Sequence, residues 1–145
     1  MIKAFEQLTT EERETLYKAP VLVSVLVSCA FNEVNETMKS DAIKLVHLRT
    51  FTAPHLLIPY YQEVEKIFKD EFEKAVRSYF PFDEENRNKL KDELNKTGRV
   101  IAKLDEGFAH SLNRSLESYA KHVKRSAHSV FQDFIFPLTY SKLND

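Results

Sequence analysis

A chain of 145 residues, 43% hydrophobic and 30% charged, suits one domain with a well-filled core. Its net charge of −1, with both signs interspersed, argues against a general nucleic-acid binder, which carries a basic field. Eleven Phe and six Tyr foretell an aromatic core, and the lone Cys29 excludes an intrachain disulfide and any cysteine-rich zinc site.

The first residues lack the basic and apolar regions of a signal peptide. The longest apolar run, 21–31, is broken by serines and too short to span a bilayer, so the chain reads as cytoplasmic. The Asn-x-Ser/Thr triplets at Asn35, Asn95 and Asn113 are then chance matches. Only two glycines, Gly98 and Gly107, occur in the chain. Turn-rich β domains need more, so the expected fold is all-α: a compact bundle of about six or seven helices. It spans 1–145 as one domain, with a core over roughly 9–136 and a loosely held tail.

The elements follow in order. Thr9 caps a first helix, and Glu12 three residues on completes a capping box. Pro20 suits the first position of a second helix. Its valines alternate as in a strand, but few partner strands exist, so 21–27 reads as a buried helix with Cys29 as a small buried hydrophobe. Asn32 to Asn35 form a turn, and Asn35 caps a third helix with Met38, Ala42, Leu45 and Val46 on one face. Pro54 and Pro59 mark a break and restart. From Tyr61 a fourth helix places Val64, Ile67, Phe68, Phe72, Ala75, Val76 and Tyr79 at spacings of three and four. Pro81 stops it and Asp83 caps a fifth helix, which carries Leu90 and Leu94 and ends near Gly98. A short apolar stretch, 100–104, leads to a turn at Asp105, Glu106 and Gly107. The last helix aligns Phe108, Leu112, Leu116, Ala120, Val123, Ala127, Val130 and Phe134, and Pro137 ends it. The two halves align weakly, with Val34, Met38 and Ala42 opposite Phe108, Leu112 and Leu116, which suggests an internal helical repeat.

Chemistry-bearing clusters are few. Asp105, Glu106 and His110 form one, since Glu106 and His110 lie four apart and share a helical face. Carboxylates with an imidazole suit zinc or manganese, and calcium is the third candidate cation. The same acids also serve a helix N-terminus as simple caps. Arg114, Lys121, Arg125 and His128 share a face of the last helix and suit an acidic protein partner or phosphate, although Glu117 sits near them; they read equally as a solvated surface. Tyr60 and Tyr61 suit either a pocket wall or the core. No metalloprotease pair, nucleophile elbow or glycine-rich phosphate loop is present.

The stretch Ala30-Phe31-Asn32-Glu33-Val34-Asn35-Glu36, between an apolar helix and a more polar one, resembles the motif of the tellurite-resistance TerB-like family. That motif reads Ala-Asp-Gly-x-Ile-Asp; here Ala30 and Val34 match, while Phe31, Asn32 and Asn35 replace its first acid, glycine and second acid. The stretch 102–108 matches more loosely and keeps Asp105 and Gly107. The resemblance implies a compact helical domain over roughly 9–136 and a stress-response role. The family's metal-associated acids are reduced here to Glu33, Glu36, Asp105 and Glu106. The leading expectation is a non-enzymatic cytosolic domain acting through protein contacts, with homo-oligomerisation open. The alternatives are a metal-binding protein centred on Asp105, Glu106 and His110, and a small-molecule binder or enzyme with an aromatic-lined pocket.

Overall fold

The computed structural model describes residues 2–30 and 36–123. Among them are six α-helices and two short 3-10 helices, Lys3–Phe5 and His55–Leu57, and no strand, so the all-α expectation holds. The helices are α1 (Thr10–Tyr17), α2 (Ala19–Ala30), α3 (Glu36–Thr52), α4 (Ile58–Tyr79), α5 (Glu84–Ile101) and α6 (Glu106–Val123).

The helix starts are written in capping chemistry. Thr9 Oγ1 accepts from Glu12 N at 3.1 Å, and the Glu12 carboxylate accepts from Thr9 N at 2.9 Å. This reciprocal box satisfies two backbone donors that the first turn leaves over. Hydrogen bonds from Lys103 and from Thr9 N hold the Glu12 carboxyl below the usual carboxylate range. Thr9→Ala is expected to cost about 1 kcal/mol in urea unfolding, since alanine supplies no acceptor. Asp83 caps α5 through Asn86 N at 2.9 Å. Before it, α4 stops at Tyr79, where Phe80 turns extended ahead of Pro81. The turn expected from Asn32 to Asn35, with its Asn35 cap, lies outside the described residues.

Helix α2 settles the strand-like valines. All of residues 19–29 are buried, so α2 has no wet face to alternate with. A helix apolar all round is one surrounded by others. Here α2 packs on α1, α4, α5 and α6. Its two serines fit because they hydrogen-bond back along the helix: Ser24 Oγ to Pro20 O at 2.9 Å and Ser28 Oγ to Ser24 O at 2.9 Å. Pro20 stands second in the helix, one place later than expected, where its missing N–H is still harmless.

Helices α3 and α4 pack side by side, and Lys39 pairs with Glu73 across them at 2.5 Å. Two boundaries differ from the sequence reading. Helix α5 runs through Gly98 to Ile101, because Leu90, Leu94, Thr97 and Ile101 continue one buried stripe. Burying Val100 and Ile101 outweighs the roughly 1 kcal/mol that a helical glycine costs. Gly107 is no turn residue; it lies in the first turn of α6, and Asp105 alone is the cap, accepting from Phe108 N at 2.9 Å. The continuation expected for the last helix, with Ala127, Val130 and Phe134, falls outside the described residues.

Buried tyrosines fasten α6 to three neighbours. The Tyr61 and Ser115 hydroxyls meet at 2.5 Å, joining α4 to α6. Tyr119 donates to the Ala42 carbonyl of α3 at 3.0 Å. Ser24 Oγ of α2 lies 3.2 Å from the Tyr119 hydroxyl oxygen and shares its one proton between that oxygen and Pro20 O. Tyr60 donates to Leu16 O at 2.6 Å. Each ring thus buries its apolar body while its hydroxyl stays satisfied.

Asn113 breaks this rule. It lies on the packed side of α6, 1% exposed, and neither its amide oxygen nor its nitrogen finds a hydrogen-bond partner. An unsatisfied buried polar group costs about 1–3 kcal/mol. Asn113→Leu, close in size, is therefore expected to raise the urea midpoint by an equivalent amount. A lower midpoint for both Asn113→Leu and the smaller Asn113→Ala would sink this expectation.

Candidate interaction surface

The expected metal cluster starts from α6. Asp105 is exposed, and its Oδ1 is engaged by Phe108 N. Glu106 is exposed in the first turn, and His110 is half-buried one turn further on. Among the described residues, no three His, Cys, Asp or Glu side chains converge so as to hold a metal ion. Asp105, Glu106 and His110 thus do not form the group that coordination requires, and the job that the geometry shows for Asp105 is capping.

Of the basic set, Arg114 and Lys121 are exposed on α6, and Lys121 lies 3.8 Å from Glu117 one turn back. Arg125 and His128 lie outside the described residues. Tyr60 and Tyr61 are fully buried, so they belong to the core and line no pocket mouth.

Tyr17 and Phe108, by contrast, do line a surface concavity. Phe5, at the centre of the cluster, packs against Tyr17 at 5.6 Å, Phe108 at 5.4 Å and Tyr60 at 6.3 Å between ring centroids. Tyr17 stacks on Tyr60 at 5.9 Å. Rings held this way form a stiff floor under a trough of about 1050 Å³ between the N-terminal residues and the starts of α4 and α6. Leu8, Leu56 and Pro59 add apolar lining, while Lys3, Glu63 and Lys103 bring charges of both signs. Burial and the Glu63 carboxylate raise the Tyr17 hydroxyl above its ordinary pKa, with Arg13 pulling the other way.

Leu56 links this trough to the feature that the sequence reading missed. Three large apolar side chains stand exposed among the described residues: Leu48 at 46%, Phe51 at 60% and Leu56 at 51%. All three fall between positions 48 and 56, at the end of α3 and in the 3-10 helix after it. Helix α3 buries Met38, Ala42 and Val46, and a helical projection puts Phe51 on the side away from them, with Asp41, Lys44 and Leu48. Phe51 is held in place there. Its ring meets His47 edge-on at 5.8 Å, and His47 Nδ1 lies 2.6 Å from Glu65 Oε2 of α4. Arg49, on the inner side, donates to Ser118 of α6 at 3.1 Å and anchors the same turn. The signal was present in the sequence, because Leu48 and Phe51 fall off the stripe set by Met38, Ala42 and Val46.

Cys29 adds no chemistry. It is buried, and burial alone pushes its thiol up to about 12, which leaves it protonated at neutral pH. Among the described residues no helix is long and apolar enough to cross a membrane. No family model, no curated protein and no solved structure matches this chain.

Proposed function

We propose that this domain acts through protein–protein contact, with no catalysis of its own, and that its contact surface is the apolar corner at Leu48, Phe51 and Leu56 together with the adjoining trough. One observation carries the reading. The fold buries or half-buries its other large apolar side chains among the described residues, yet leaves these three in water within one short stretch. Single exposed leucines are ordinary, but a local concentration that includes an aromatic ring is the composition of an interface. The likeness of 30–36 to the TerB-like motif belongs to the same proposal and supports reading the contact as part of a stress response. The metal alternative draws less support, since the described residues bring no ligand set together. The small-molecule alternative rests on the trough alone, whose volume reaches the upper end of ordinary ligand pockets.

The test is photo-crosslinking in cells with benzoylphenylalanine placed at position 51 and, as a control, at exposed Asn88 on α5. Adducts of defined mass at 51 and none at 88 are expected, and Leu48→Asp in the same chain should remove them. Leu48 is partly exposed, and the substitution should cost about 1–2 kcal/mol, less than domains of this kind hold, so with helical circular dichroism unchanged, loss of the adducts would not reflect unfolding. An adduct of twice the chain's mass would make the partner a second copy. The same adducts at both positions, or none at 51, would overturn the proposal.

A further inference from the structure

We draw no further inference here: the strongest candidate, the unpartnered side-chain amide of Asn113 on the packed side of α6, is enclosed in the helix bundle, and nothing in the structure shows what it would bind.

Discussion

Above pH 10 the protein is expected to unfold cooperatively, with loss of helical circular dichroism and a rise of tyrosinate absorbance in one coincident step. Three tyrosines carry this. Burial pushes the Tyr60 hydroxyl well above its ordinary value, with Tyr61 and Tyr17 adding to the shift. Burial raises Tyr61 too, although Ser115 and Arg49 oppose it in part. Tyr119 is raised by burial, partly offset by its bond to Ser24. The sign follows from linkage. Each hydroxyl ionises near pH 10 in the unfolded chain and later in the folded one. The stability tied to the neutral hydroxyls is therefore complete below about pH 10 and drains as the pH rises through the folded values. Each group removes about 1.4 kcal/mol per pH unit within its window, so three together remove about 4 kcal/mol per unit. Cys29, shifted from 9.0 to about 12, begins the decline slightly earlier and in the same direction. Domains of this kind hold about 5–15 kcal/mol in total, so losses at this rate are large against it. The account fails if absorbance shows all the tyrosines titrating near pH 10 while the circular dichroism stays constant.

Tyr119 is the second place where a large effect is expected. Its ring is fully buried on α6, and its hydroxyl touches α2 and α3 together. Tyr119→Phe keeps the ring and removes only the hydroxyl, which is expected to cost about 1–2 kcal/mol. Tyr119→Ala also opens a cavity among three helices and is expected to cost about 3–5 kcal/mol, a large share of the whole. Urea unfolding followed by circular dichroism separates the two. If both variants lose the same amount, the ring contributes nothing through packing, and the picture of Tyr119 as the rivet of α6 is wrong.

Local chemistry made much of the fold legible from residues alone. Thr9 with Glu12, the Pro54 and Pro59 pair, and Pro81 with Asp83 each act on neighbours within a few positions, so their effects can be read without knowing the tertiary structure. Gly98 and Gly107 misled because local propensity competes with burial across helices. The stripe through Leu90, Leu94 and Ile101 decided the first, and the Asp105 cap decided the second. The tyrosine hydroxyl partners were out of reach for a different reason. Tyr61 and Ser115 lie 54 positions apart, and no periodicity links them. The candidate surface shows both cases. Asp105, Glu106 and His110 drew the eye by residue type, yet nearness in sequence does not make side chains converge, and among the described residues no three such side chains do. Leu48 and Phe51 carried the more useful signal by standing off their helix's apolar stripe.

The bond between Ser24 and Tyr119 joins residues 95 positions apart. During synthesis α2 leaves the ribosome early, and the helix that closes over it comes last among the described elements. Until residue 119 has emerged, an apolar helix with no hydrophilic side has part of its covering missing. Closing so long a loop adds little entropy beyond a shorter one, so the burden on the nascent chain is one of time rather than of final stability. A chain built this way depends on its interval of incompleteness being short or sheltered, and a chain ending before α6 leaves the side of α2 that α6 covers as a sticky stretch.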